Sequence, residues 1–396
     1  MPRLAWVAVV MAACLALIAG ACATPPDTGT RLNPACISDF KPDTDYFPDK
    51  STVTDATNFT ISYHLSYQVL TVKQPYPNAA PESYVLVRCG APRPLLAGEL
   101  THARQITVPV TTMYSASTTH LGMIAELDQT DVVSGVATAA NVVSPRLRQR
   151  IATGHIAEFA PGGQVDIETV IAAHPDVLVT QGTDDPSYAK LRDAGVGVIA
   201  DAEWLEPTPL GRAEWVKVFA ALTGTEKKAG ELYRTLRDEY RKVAAKTTGV
   251  RPVDVLPGEM YHGVWSMPAG GDYAGRLIAD AGGSYPWAGD KRAGSLQLNF
   301  ESVFAKAGQA PLWLVISNWT TLNDALAQDN RYTELTAMRT GQVWSATKSL
   351  GPGGGNDYWE RGVARPDLVL GDLVAILHPD LAPGHEFQFY RQVMRA

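Results

Sequence analysis

One layout of residues occurs twice in this chain and constrains its fold more than any other feature. Residues 165–183 and 298–321 each begin with a short extended apolar segment, continue with a glutamate that opens a helical pattern, and end with an apolar strand followed by polar residues. Continuous apolar strands such as Val177-Leu178-Val179 are typical of parallel sheets buried on both faces. Glu168 and Glu301 hold equivalent positions in the two copies. Two similar α/β lobes are therefore predicted.

Strand and helix patterns alternate from Pro109 onward, on both sides of a long amphipathic stretch that ends near Lys246. A break at Gly224-Thr225 divides this stretch into two helices, with Thr225 as the N-cap of the second. We predict an α/β protein with two Rossmann-like lobes joined by a single long helix, preceded by a β-rich extension with period-two apolar patterning. The predicted divisions are residues 34–108 for the extension, 109–224 for the N-terminal lobe, 225–246 for the inter-lobe helix and 247–396 for the C-terminal lobe. The extension carries no functional motif and is expected at most to complete the edge of the first lobe's sheet.

Two such lobes enclose a cleft, which is lined by the loops that follow the strands. Aromatic residues in these loops would cover a flat or bulky organic ligand with a large contact area. The alternative is that each tryptophan packs beneath its own loop, and that the one arginine of the set lies on a solvated surface. Residues 351–355 (GPGGG) are expected to form a mobile rim. The predicted ligand-binding residues are Tyr114, Trp204, Tyr261, Trp265, Arg292, Trp319, Tyr358 and Trp359.

The N-terminus has the pattern of an export signal. Arg3 precedes an uncharged apolar run that ends in the small residues Ala19-Gly20-Ala21, and Cys22 follows directly. Small residues before a cysteine are typical of bacterial lipoproteins, although Ala19 replaces the favoured leucine. We predict a signal peptide over residues 1–21, lipid attachment at Cys22 and a linker over residues 22–33, which would anchor the protein on the extracytoplasmic face of the cell membrane. Plain secretion and a retained membrane helix are the alternatives.

Two cysteines, Cys36 and Cys89, remain in the mature chain. In an oxidising compartment an isolated pair usually forms a disulfide, and two separate buried thiols are the alternative. The formal net charge is −7, which argues against nucleic acid as a partner.

Neither a metal site nor a catalytic site is predicted. The eight histidines form no tight pair, so direct binding of zinc or manganese is the weaker alternative within the class of binding proteins. A nucleophile elbow, a zincin helix, a dinucleotide fingerprint and a kinase signature are all missing from the sequence. A secreted enzyme is therefore the least favoured class, and a sensor or scaffold lipoprotein is a further alternative.

Four segments together resemble the iron-siderophore and cobalamin class of ABC-transporter binding proteins: residues 113–136, 165–179, 206–229 and 273–283. The resemblance covers about residues 109–390. It implies that the inter-lobe helix is rigid, that the cleft closes little, and that the ligand is a metal chelate. A ferric siderophore is the first expectation, cobalamin and haem are the alternatives, and iron enters only as part of the chelate, with no resident cofactor.

The same resemblance implies a partner, an ABC permease dimer with its ATPase. In that family one exposed glutamate per lobe contacts the permease, and the corresponding positions here are Glu168 and Glu301. The helix dipole alone also favours a carboxylate in the first turn of a helix, so the matched placement in both lobes is what favours docking. The protein is expected to be a monomer.

Overall fold

The computed structural model describes residues 36–395. The predicted signal peptide, Cys22 and the linker lie outside the described residues. From Ile37 onward these residues belong to one compact unit. Within the described part of the chain, no helix is long and apolar enough to cross a membrane.

The β-rich extension forms a four-stranded sheet of its own. Its strands are β1 (Phe59–Tyr63), β2 (Tyr67–Val72), β3 (Glu82–Arg88) and β4 (Arg104–Val108). They lie in the order β1-β2-β3-β4, antiparallel except for the parallel pair β3 and β4. The expectation that the extension completes the first lobe's sheet is wrong, because its apolar face packs on the body instead: the rings of Phe59 and Trp215 lie 5.0 Å apart.

Two buried carboxylates attach the extension to the body. Glu214 accepts hydrogen bonds from the backbone N–H groups of residues 54–56 and pairs with the buried Lys217 ammonium. Glu206 accepts from the N–H groups of residues 57 and 58. Since each carboxylate is almost fully buried, these bonds stand in for the water that it would otherwise bind.

The first lobe is built on a parallel five-stranded sheet in the order β7-β6-β5-β8-β9. The helical pattern predicted around Glu168 is present as a helix over Ile167–Ala173. In chain order the elements are β5 (Met113–Ser115), α1 (Thr118–Glu126), β6 (Val133–Val136), α2 (Pro145–Ala152), β7 (Ala157–Glu158), α3 (Ile167–Ala173), β8 (Val177–Thr180), α4 (Pro186–Asp193) and β9 (Val198–Ala200).

The lobes are connected by the predicted inter-lobe helix, α7 (Glu226–Ala245), and by the stretch before it. That stretch is predicted as one helix, but Trp215 divides it into α5 (Pro209–Glu214) and α6 (Val216–Thr223). The predicted break lies between α6 and α7, where Gly224 has a left-handed conformation (φ 71°) that an L side chain rarely adopts. Thr225 is the N-cap of α7, but its side chain accepts no capping hydrogen bond.

The second lobe repeats the plan and adds an inserted sheet. Its main sheet has the order β13-β10-β15-β16-β17, in which only β17 is antiparallel, and the inserted antiparallel sheet has the order β11-β12-β14. Two α/β lobes are thus confirmed. In chain order the elements are β10 (Val253–Pro257), β11 (Glu259–Tyr261), β12 (Val264–Pro268), α8 (Tyr273–Asp280), β13 (Gly283–Ser284), β14 (Ser295–Leu298), α9 (Phe300–Ala307), β15 (Leu312–Val315), α10 (Leu322–Gln328), α11 (Thr336–Thr340), β16 (Val343–Ser345), α12 (Asp357–Glu360), α13 (Pro366–Leu377) and β17 (Arg391–Gln392).

Residues 351–355 form a fixed contact between the lobes. The N–H of Gly353 donates to the carbonyl of Ala140 (3.2 Å), and a Cβ on Gly355 would lie 1.8 Å from the carbonyl oxygen of Asn141. Glycine is required here because two backbones approach closely. The expectation of a mobile rim is therefore corrected.

Candidate ligand-binding site

Two cavities open at the carboxyl ends of the parallel strands. The smaller, about 240 Å³, is lined by residues that follow β5, β6, β7 and β8 of the first lobe. The larger, about 570 Å³, is lined by residues that follow β10, β15 and β16 of the second lobe. Trp204 lines the larger cavity, and its indole N–H donates to the carbonyl of Gln181 (3.1 Å), which lines the smaller one. The two cavities are therefore neighbouring parts of one inter-lobe cleft.

Aromatic side chains dominate the larger cavity, which we call the aromatic cavity. Four of the predicted ligand-binding residues line it: Trp204, Tyr261, Tyr358 and Trp359. Tyr261 is 73% exposed, a large value for an aromatic side chain. The structure thus brings together half of the residues predicted to bind ligand.

Local backbone geometry places these rings at the cavity. Tyr261 ends β11 beside a tight turn at His262 and Gly263, both with positive φ (49° and 79°), which is the requirement of a type I′ hairpin turn. Tyr358 and Trp359 lie in the short helix α12, which is capped by the side chain of Asn356 as it accepts from the N–H of Tyr358 (2.9 Å).

Three predicted ligand-binding residues lie in the core and line neither cavity. Tyr114 is 2% exposed and stacks on Phe159. Trp265 is fully buried, with its indole N–H bonded to a backbone carbonyl, and the indole N–H of Trp319 is bonded to the side chain of Gln328. We correct the expectation for all three, because each ring packs beneath its loop and leaves a ligand no surface to contact.

Arg292 lies outside both cavities as well. Its guanidinium folds back onto Asp290, with Nη2 2.6 Å from a carboxylate oxygen. The guanidinium lowers the pKa of Asp290 to about 2. This correction has a simple cause: an acidic residue two positions earlier is a nearer partner than any group in the cleft.

Sequence reasoning missed three residues of the site. Tyr273 and Tyr390 line the aromatic cavity, and the guanidinium of Arg212 lies 4.0 Å from the centre of the Tyr273 ring. Arg212 is 4% exposed and pairs with Glu203 (Nη2–Oε2 2.9 Å). Tyr273 opens a segment that carries the family resemblance, which was a usable signal, whereas Tyr390 and Arg212 are recognisable only from the folded contacts.

Acidic side chains are the charged groups of the cavity linings in the described part of the chain. Glu259 and Asp272 line the aromatic cavity, and Asp185 lines the smaller one. The Glu259 carboxylate accepts from the N–H groups of residues 316 and 317, at 3.1 and 2.9 Å. Asp272 accepts from two further N–H groups, and burial raises its pKa. These bonds hold both carboxylates in place.

A serine, a histidine and an aspartate lie in line under the smaller cavity. Ser115 Oγ is 3.0 Å from His120 Nδ1, and His120 Nε2 is 3.7 Å from a carboxylate oxygen of Asp201. The second distance is too long for the hydrogen bond that orients the imidazole in a catalytic triad. Burial lowers the pKa of His120 to about 3, and Ser115 already donates to the carbonyl of Ser117. The arrangement is a buried structural network rather than an activated nucleophile.

Glu168 and Glu301, which are predicted to dock on the permease, occupy equivalent positions in the two lobes. Glu168 lies in the first turn of α3 and Glu301 in the first turn of α9, and both are exposed. Each helix has an N-cap side chain that accepts a backbone N–H, Asp166 in α3 and Asn299 in α9. Glu301 also pairs with Arg331 (2.8 Å).

Cys36 and Cys89 are both in disulfide linkage, and the N–H of Ile37 donates to the carbonyl of Cys89 (2.9 Å). That the two cysteines pair with each other stays our prediction. Among residues 36–395, no three His, Cys, Asp or Glu side chains are grouped so that they could hold a metal ion.

A model of the family described as periplasmic binding protein matches residues 114–350. An uncharacterized lipoprotein of Methanocaldococcus jannaschii is 28% identical over 296 residues, which cover 72% of this chain and 69% of that protein.

Two solved structures share the fold. A periplasmic heme binding protein from Pseudomonas aeruginosa aligns with a TM-score of 0.54 and 19% identity, over 72% of this chain and 99% of its own. A possible iron-binding, periplasmic solute-binding protein from Staphylococcus epidermidis aligns with a TM-score of 0.52 and 16% identity, over 68% of this chain and 98% of its own.

Proposed function

The chain belongs to the periplasmic binding protein family, whose members carry substrates and are not enzymes, and from that premise we propose that it captures a metal chelate for an ABC importer. The observation that carries the proposal is the aromatic cavity between the lobes. Its rings suit a bulky organic ligand, and its volume of about 570 Å³ is within the range of small-molecule sites. A ferric siderophore is the first candidate, and haem and cobalamin are the others.

Two structural relatives support this class of ligand. The Pseudomonas aeruginosa protein is named for heme and the Staphylococcus epidermidis protein for iron. An aromatic lining favours a chelate over a bare metal ion, because ions are held by charged or polar ligands rather than by rings.

Tryptophan fluorescence tests the proposal. Trp204 and Trp359 line the cavity, so an occupying chelate would quench their emission. We expect one class in a panel of ferric siderophores, haem and cobalamin to give saturable quenching at micromolar concentration or below. If zinc or manganese alone bound saturably and no chelate of the panel quenched the fluorescence, the bare-metal alternative would be favoured and the proposal contradicted.

We further propose that Glu168 and Glu301 dock on the permease. Their support is their matched position and their exposure, one on each lobe. Exposed charges of this kind set the encounter rate and the register of a complex. The double variant Glu168→Ala, Glu301→Ala should lose uptake of the chelate while its affinity for the chelate is unchanged.

The matched control is Glu231→Ala with Glu239→Ala, which removes two exposed carboxylates from α7 and changes the net charge equally. Docking through Glu168 and Glu301 would be contradicted if the double variant at these two positions retained uptake, or if the control variant lost uptake to the same extent. Full chelate binding without any cognate permease would favour the sensor or scaffold alternative.

Lipid anchoring at Cys22 completes the proposal. The Methanocaldococcus jannaschii relative is named as a lipoprotein, and the residues that precede Cys22 suit a lipoprotein signal. Cys22→Ser should abolish labelling with radioactive palmitate and release the protein from the membrane fraction. Labelling that persists in this variant would contradict attachment at Cys22.

A further inference from the structure

The walls of the aromatic cavity combine rings with fixed carboxylates. Glu259 and Asp272 are its charged side chains in the described part of the chain, and backbone N–H donors hold each of them in place. The neighbouring smaller cavity adds the carboxylate of Asp185, which is held by the N–H of Ser187 (2.8 Å). The two cavities of the cleft therefore present negative charge on both lobes.

The buried cation near the cavity is already neutralised. Arg212 contacts the Tyr273 ring, lines a small void of about 20 Å³ beside the aromatic cavity, and pairs with Glu203, which is 3% exposed. An anionic ligand could engage the guanidinium only by competing with this buried ion pair, which is costly to break. Arg292, the other cation considered for the cleft, is bound to Asp290 outside it.

The faces of the aromatic rings, like the carboxylates, favour positively charged ligands. The face of an aromatic ring carries negative partial charge and attracts a cation placed over it. Trp204, Tyr261 and Trp359 line the cavity, the first two with exposed rings and Trp359 with a ring half-buried against the core. The fixed carboxylates and the rings together favour positive or neutral ligands.

We propose that the cleft selects uncharged or cationic chelates and discriminates against anionic ones. This inference rests on the proposed function, since it names the charge class of the same ligand. One unit of negative charge roughly 6 Å from a fixed carboxylate should weaken binding on the order of ten- to a hundredfold.

A series of chelates that differ mainly in the charge of one terminal group provides the test. Ferrioxamine B is cationic, its N-acetyl derivative is uncharged, and its N-succinyl derivative is anionic, with the same iron-binding groups throughout. We expect calorimetry on the mature protein to show a smaller dissociation constant for the cationic chelate than for the uncharged one, and a value for the anionic one at least about tenfold larger than that of the uncharged one. If haem or cobalamin is the chelate bound, the matched pairs are haem with its dimethyl ester and cobalamin with its monocarboxylate.

A gain-of-charge variant makes the test sharper. Ile316 lines the cavity and is 42% exposed, whereas Leu65 lies in the extension at 46% exposure and lines neither cavity. Ile316→Lys should lower the ratio of the dissociation constants of the anionic and uncharged derivatives by about tenfold. Leu65→Lys, which makes the same change in net charge, should leave this ratio unaltered.

Equal or tighter binding of the anionic derivative by the unmodified protein would overturn the charge preference while leaving the proposed function standing. An equal gain in affinity for the anionic derivative in both lysine variants would also overturn the charge preference. The gain would then come from the added net charge of the protein and not from a charge in the cavity. Failure of every chelate to bind would instead overturn the proposed function itself.

Discussion

Trp265 and Trp359 lie on the same lobe and have different roles. Trp265 is fully buried against Trp313 and Tyr332, and its indole N–H donates to the carbonyl of Pro257 (3.0 Å). Trp359 lies in the short helix α12 and lines the aromatic cavity. Only a ring that the ligand touches contributes directly to affinity, whereas a core ring contributes to folding.

We expect Trp359→Ala to weaken chelate binding by about tenfold or more, since a large aromatic contact contributes on the order of 1–3 kcal/mol. Trp265→Phe should keep the affinity and lower the free energy of unfolding by about 1–3 kcal/mol, because the carbonyl of Pro257 loses its buried donor. Titration and urea unfolding of both variants measure the two effects. A large loss of affinity in Trp265→Phe with normal stability would contradict these roles.

Aromatic residues also show what sequence patterns leave undecided. Tyr114, Trp204 and Trp319 are all predicted in loops that follow strands, yet only Trp204 lines a cavity, and Tyr114 lies within β5. Whether a loop ring turns inward depends on distant partners, such as Phe159 for Tyr114 and Gln328 for Trp319. Those partners are set by tertiary packing, which a local pattern does not encode.

At the scale of elements, buried carboxylates stabilise junctions that apolar packing alone would leave with unpaired backbone groups. Glu214 is fully buried, and Lys217 beside it is 4% exposed. Glu214→Gln should lower the free energy of unfolding by about 3 kcal/mol, because Lys217 then loses its ionic partner in the interior. Urea unfolding measures this loss.

The control is Glu239→Gln on the exposed face of α7, which should change stability by less than about 0.5 kcal/mol. Equal stability of the Glu214 and Glu239 variants would show that the extension is held mainly by its apolar face.

Helix and strand patterns predicted the two lobes, the repeated helix and strand in each, and the break before α7. The apolar periodicity and a capping residue define α3, and the glycine break defines the start of α7. The inserted sheet of β11, β12 and β14 was not predicted, because β14 pairs with β12 across a long intervening segment that contains α8. The long-range pairing of a short strand leaves little local signal.

At the scale of the whole molecule, the lobes are braced at several places. The buried core is continuous from Phe59 in the extension through Phe219 in α6 to Val255 in the second sheet. Away from these connecting helices, the Glu360 carboxylate of the second lobe accepts the N–H groups of Val143 (2.6 Å) and Ser144 (2.8 Å) of the first. Such bracing leaves little freedom for the lobes to rotate about a hinge.

We therefore expect the radius of gyration of the mature protein, measured by small-angle X-ray scattering, to change by less than about 1 Å when chelate saturates it. The variant Glu360→Gln removes one acceptor oxygen between the lobes, and it should lower the unfolding temperature without a change in scattering. A contraction of several ångströms in the unmodified protein would contradict a rigid connection.

Capture of a chelate in the aromatic cavity is the central claim, and crystallography at the iron absorption edge tests it most directly. Crystals of the mature protein with its tightest-binding ferric chelate should show one strong anomalous peak in the cleft, between Trp204 and the pair Tyr358 and Trp359. A peak at any other place, or a fully occupied chelate that leaves these rings uncovered, would contradict the claim.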